Sequence, residues 1–117
     1  DRYKVFEPSG IVDEQAAKQL HEEIQVVAQQ GCQHVIIDMH QITFMNSSAV
    51  GILVLMLKEM RNHGGEMYLC SLSDQVQVIL ELSRMHLIFR CFANIQEFEH
   101  KNYIKMVCFR LGVFYQV

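Results

Sequence analysis

The stretch from His34 to Met60 reads HVIIDMHQITFMNSSAVGILVLMLKEM, and its two halves obey different periods. Val35, Ile36 and Ile37 form a run too short and too β-branched for a helix, which predicts a strand covered on both faces. Ile42, Thr43, Phe44 and Met45 then lead into a turn at Asn46. Beyond it come Val50, Ile52, Leu53, Val54, Leu55, Met56, Leu57 and Met60, with Lys58, Glu59 and Arg61 only near the end. This pattern predicts a helix buried at its start and exposed at its finish, closed by His63, Gly64 and Gly65.

The same alternation extends in both directions. Upstream, Tyr3 to Phe6 reads as a short strand ended by a turn at Pro8, Ser9 and Gly10. Asp13 is a good N-cap for a helix whose apolar face carries Ala16, Ala17, Leu20, Ile24, Val27 and Ala28, with Gly31 as its stop. Downstream, Glu66 to Cys70 reads as a strand, Ser73 and Asp74 start a helix through about Ser83, and Leu87 to Phe92 reads as a further strand. Asn94 followed by Glu97 offers a capping box for one more short helix carrying Ile95 and Phe98. Strand and helix in turn predict an α/β fold with a mixed, largely parallel sheet of four to five strands backed by about four helices.

The last segment has another period. Val107, Phe109, Leu111, Val113, Tyr115 and Val117 are apolar at every second position, which is a strand signal. The run outlasts the usual strand of about five or six residues, so it fits an added sheet edge or pairing with another chain. A poorly ordered tail is the other reading. We therefore divide the sequence into a domain over residues 1–100 and a C-terminal extension over 101–117.

Half of the 117 residues are hydrophobic, enough for one core and too few for a second domain. The formal charge of −3, from 10 Lys and Arg against 13 Asp and Glu, offers no basic surface for a nucleic-acid backbone. Cys32, Cys70, Cys91 and Cys108 are far apart and read as free thiols in a reducing compartment. With no apolar run long enough to span a bilayer, the expected location is the cytoplasm and no membrane partner is expected.

Phe44 to Gly51 places small polar residues between a strand and a strongly apolar helix. Asn46 or Ser47 can cap the helix, and a serine there is also an accessible hydroxyl on a rigidly held loop. There is no Gly-x-Ser-x-Gly elbow and no glycine-rich phosphate cradle, so neither catalysis nor a nucleotide cofactor is expected. His21, His34, His40, His63, His86 and His100 do not pair at metal-ligand spacing; a metal would need ligands gathered from distant segments, and none is expected.

From about Pro8 to Phe98 the sequence resembles the anti-sigma factor antagonist family, known by its STAS domain. The likeness rests on Ser9 to Asp13 at the first helix entry, on Val35 to Asp38 followed by Ile42 to Met45, and on the Ser47, Ser48 turn. It continues through Gly64 to Cys70, Val76 to Leu82 and Ile88 to Phe92. The resemblance implies a non-enzymatic regulator that binds an anti-sigma factor serine kinase. It also implies phosphorylation of the serine after the aspartate of an Asp-Ser-Ser-Gly or Asp-Ser-Thr-Gly turn, here Ser47. Asp13, Asn46, Ser48, Ala49 and Val50 complete the implied contact set. Asn46 stands where the family usually has aspartate and Ala49 where it has glycine. The alternative is a STAS domain that serves, unphosphorylated, as a scaffold or regulatory part of a transporter or sensory complex. Many relatives carry an extra strand before the one at Tyr3; the alternating tail is a candidate to replace it, within one molecule or exchanged in a homodimer.

Overall fold

The computed structural model describes residues 2–102, 107–110 and 113–116, with side chains over residues 3–100. In chain order the elements are β1 (Arg2–Phe6), β2 (Gly10–Val12), α1 (Glu14–Gln29), β3 (His34–Asp38), β4 (Ile42–Met45), α2 (Ser47–Asn62), β5 (Glu66–Cys70) and α3 (Asp74–Leu82). A 3-10 turn (Met85–Leu87), β6 (Arg90–Phe92), α4 (Ile95–Asn102), β7 (Val107–Arg110) and β8 (Val113–Gln116) follow.

The main sheet runs β6-β5-β3-β1-β7-β8, parallel throughout except for the antiparallel β7–β8 pair. Its central strands are covered on both faces, as their unbroken apolar runs require. Val35, Ile37, Met67 and Leu69 pack into the core shared with α1, α2 and α3. Ile36, Tyr68 and Cys70 point the other way, toward Tyr3, Val5, Phe92 and the α4 residue Phe98. Burying one such aliphatic side chain is worth about 1.5–3 kcal/mol, so the two layers supply the main driving force for the fold.

Each of the four helices starts on a polar cap. Asp13, Asn46 and Ser73 each accept a hydrogen bond from the backbone N–H three residues on. Asn94 Oδ1 likewise accepts from the Glu97 N–H at 2.8 Å, and Glu97 reaches back to the Ala93 N–H, one residue earlier than a strict capping box. The end of α2 is equally well defined. Gly64 has φ +79°, and the Gly64 and Gly65 N–H groups donate to the carbonyls of Arg61 and Met60, a Schellman ending. Gly65 permits no side chain, because a Cβ there would lie 2.4 Å from the Gln33 carbonyl oxygen.

The structure differs from the sequence reading in three places. Gly10–Val12 is a strand that pairs in parallel with β4, forming a second, two-stranded sheet. Three residues are too few for alternation to reveal. The expected strand over Leu87 to Phe92 begins only at Arg90, because Leu87 lies in the 3-10 turn and points outward, 65% exposed. The largely parallel sheet is present as expected, β6-β5-β3-β1-β7, but among the described residues the alternating tail supplies two short strands, β7 and β8, in place of one long one. Arg110 pairs with Val113 in the antiparallel register of β7 and β8. Leu111, Gly112 and Val117 lie outside the described residues, as do the side chains of the tail.

Candidate functional site

The small sheet positions the site. In the register of β2 and β4, Val12 is the partner of Met45. Both side chains are buried, and the next residue of each strand is a helix cap, Asp13 for α1 and Asn46 for α2. Two helix N-termini are therefore presented side by side. Asp13 Oδ1 accepts from the Ala16 N–H at 2.9 Å, and Asn46 Oδ1 from the Ala49 N–H at 2.9 Å. These bonds satisfy one unpaired amide at each helix start.

Ser47 and Ser48 are the first two residues of α2, and both are exposed. Asp13 is exposed as well, while Asn46 is half-buried by its capping role. Ala49 and Val50 differ from the rest of the expected contact set, since both are buried and their side chains join the core. Val50 nevertheless borders the surface hollow beside Phe44. Ala49 takes an ordinary helical backbone conformation, absent from the positive-φ positions Gly10, Gly31, Gly64, Ser71 and Arg84. Glycine is therefore not required at position 49 for backbone reasons.

The sequence reading missed the apolar part of this surface. Ile11 and Phe44 are register partners and are 67% and 42% exposed. Beside them a hollow of about 530 Å³ lies between β4, the start of α2 and the end of α3. Phe44, Met45, Asn46, Ser47, Val50, Ile79, Leu82 and Ser83 line it, none of them charged, and Leu82 on its rim is 81% exposed. Phe44 next to buried Met45 was a visible signal, since neighbouring strand residues face opposite ways. Leu82 was not visible, because only the tertiary fold brings α3 to this edge.

The arrangement pairs an exposed hydroxyl with an uncharged hollow and two helix N-termini, and it suits recognition of another protein surface. The sequence matches the STAS domain family over residues 1–98. The chain belongs to that family. Within it, the chain is 29% identical over 80 residues to a Bordetella bronchiseptica protein named as the anti-sigma factor antagonist BtrV, covering 68% of this chain and 69% of that one. Among solved STAS structures, the anti-sigma factor antagonist SpoIIAA in its unphosphorylated form superposes with a TM-score of 0.74 at 21% identity, covering 89% of this chain and 92% of that one. A sulfate transporter family protein from Wolinella succinogenes gives 0.72 at 15% identity, covering 81% and 80%. The STAS architecture is thus shared between regulators and transporter-associated proteins. No helix among the described residues of this STAS domain is long and apolar enough to cross a membrane.

Proposed function

We propose that this STAS domain is an anti-sigma factor antagonist: a non-enzymatic, cytoplasmic partner-switching protein that binds an anti-sigma factor serine kinase when unphosphorylated and releases it when Ser47 carries a phosphate. The observation that carries the proposal is the exposed Ser47 at the first position of α2, on the rim of an uncharged hollow. The name of the Bordetella relative points the same way. A phosphate adds roughly −1.5 to −2 charge, which opposes an apolar contact at this rim. The positive end of α2 can hold that phosphate, so the switch needs no unfolding. Asp13, Asn46, Ser47 and Ser48 supply the polar contacts and Phe44, Val50 and Leu82 the apolar ones, with Ala49 holding the turn in place from within.

Asn46 keeps the capping oxygen of an aspartate but drops its charge, so the helix start is preserved and the kinase meets a less acidic acceptor site. The deciding experiment incubates the chain with the serine kinase that copurifies with it and ATP, and maps the modified residue. Phosphate on Ser47, and loss of ATP-dependent release in Ser47→Ala, support the switch; an unaltered response to ATP in that variant removes its centre.

Asn46 also motivates a second reading, a scaffold or regulatory STAS domain without phosphorylation. Its expected signature is a stable complex with a membrane or sensory protein that ATP does not dissociate.

A further inference from the structure

At the carboxyl ends of β1 and β3 the fold gathers Glu7, Asp38 and His40, three potential ligands from segments far apart in sequence. One donor atom from each can be chosen so that all lie within 4.8 Å of one another. β1 and β3 are adjacent and parallel, with Phe6 opposite Ile37, so Glu7 and Asp38 emerge next to each other where the strands end. This is the edge at which α/β sheets hold their ligands. His40 follows two residues later in a connection fixed by the backbone. The Met39 N–H donates to the Cys70 carbonyl at 2.9 Å, and the Ile42 N–H returns to the Met39 carbonyl at 3.1 Å.

Asp38 sets this group apart from an ordinary surface cluster. It is the one buried charged side chain among the described residues, 5% exposed. Its Oδ1 faces His40 Nδ1 at 2.8 Å and accepts from the His40 N–H at 3.2 Å. Both of these bonds fall on Oδ1. The His40 side chain is 47% exposed, so the group opens to solvent on that side.

We infer that Glu7, Asp38 and His40 form a binding site for one divalent transition-metal ion of the zinc type. Two carboxylate oxygens and an imidazole nitrogen match the mixed O/N donor sets of Zn²⁺ and its neighbours, and three protein ligands leave a position for water. Ligands about 2.1 Å from an ion stand about 3 to 3.4 Å apart when adjacent, so the Asp38–His40 pair is already close to the required spacing. The ion replaces the proton between them: Nδ1 gives up its hydrogen, to Nε2 or to solvent, and presents its lone pair to the metal. Bound there, the ion ties the end of β1 to the β3–β4 connection, next to the small sheet that carries both helix caps.

The test uses the full chain stripped with a chelator and titrated with Zn²⁺ by calorimetry and with Co²⁺ by visible absorption. One ion per chain is expected, without the thiolate charge-transfer band that cysteine ligation gives, together with a higher unfolding temperature in Zn²⁺. His40→Ala and Glu7→Gln, at positions that are not buried, should each weaken uptake by more than about tenfold, since loss of even an outer-shell partner costs that much. Asp38→Asn is the less secure variant because its site is buried. Absence of stoichiometric uptake, or uptake unchanged in both His40→Ala and Glu7→Gln, overturns the proposal.

Discussion

Val12 and Met45 lie opposite each other in the two-stranded sheet, and each is followed at once by the residue that caps a helix. This relationship makes one surface of two helix entries that lie far apart in sequence. A change at either cap is therefore read out at both the stability of a helix and the shape of the proposed contact.

For Ser47, the two readouts should separate. Ser47→Asp places a negative charge at the start of α2, where it is favourable by about 0.3–1 kcal/mol. Denaturant unfolding should show equal or slightly higher stability, while pull-down with the partner kinase should show binding lost. Ser47→Ala should bind and resist release by ATP.

Asn46→Ala removes the bond to the Ala49 N–H. Urea unfolding should register a loss of about 0.5–2 kcal/mol. Asn46→Asp keeps the cap, adds a charge favoured by the helix dipole, and should raise the rate of Ser47 phosphorylation in a kinase assay.

Leu82→Asp puts a charge on the rim of the uncharged hollow at a position that is 81% exposed. Exposed substitutions of this kind change stability by no more than about 0.5 kcal/mol. Partner affinity measured by calorimetry should nevertheless fall by at least about tenfold, the effect of about 1.4 kcal/mol at a contact. Phe44→Asp should act in the same direction.

Burial holds the His34 imidazole below its usual value of 6.5, with Arg90 adding to the effect and Glu66 opposing it. Its Nδ1 lies 3.2 Å from the Tyr68 hydroxyl, which can donate to it while the ring is neutral. Below pH 6.5 the unfolded chain takes up this proton more readily than the folded one, so stability rises with pH there and is lost as pH falls. His34→Gln should flatten that part of the pH profile of the unfolding midpoint without flattening the rest.

Removal of residues 103–117 takes away β7 and with it one of the two neighbours of β1. The shortened chain is expected to unfold at lower denaturant and, with the outer edge of β1 open, to self-associate in size-exclusion chromatography with light scattering. Unchanged stability and size would show that the domain is complete by residue 102.

Much of the fold was legible because local chemistry and tertiary need coincide. Asp13, Asn46 and Ser73 each stand immediately before an amphipathic run, and each caps a helix. Legibility failed where they part. Leu87 and Ile88 look like strand residues, yet they face water beside a turn whose entry, Arg84, is left-handed. At the site, Ser47 and Ser48 could be placed at the turn. Ala49 and Val50 are buried by helical periodicity, Val50 also bordering the hollow, while Phe44 and Leu82 meet only because α3 returns to the edge of β4.

The placement of β1 between β3 and β7 also orders events during synthesis. β1 leaves the ribosome ahead of its inner neighbour β3, and both precede α2. Its outer neighbour β7 emerges only after α4. A nascent chain can therefore assemble the core of α1, α2 and the inner strands while an edge of β1 is still bare, in the interval when unpaired edges are most prone to join wrong partners. Any slowing of translation between α4 and β7 lengthens that interval, so yield in the cell should depend on the pace of synthesis as well as on the stability of the finished fold.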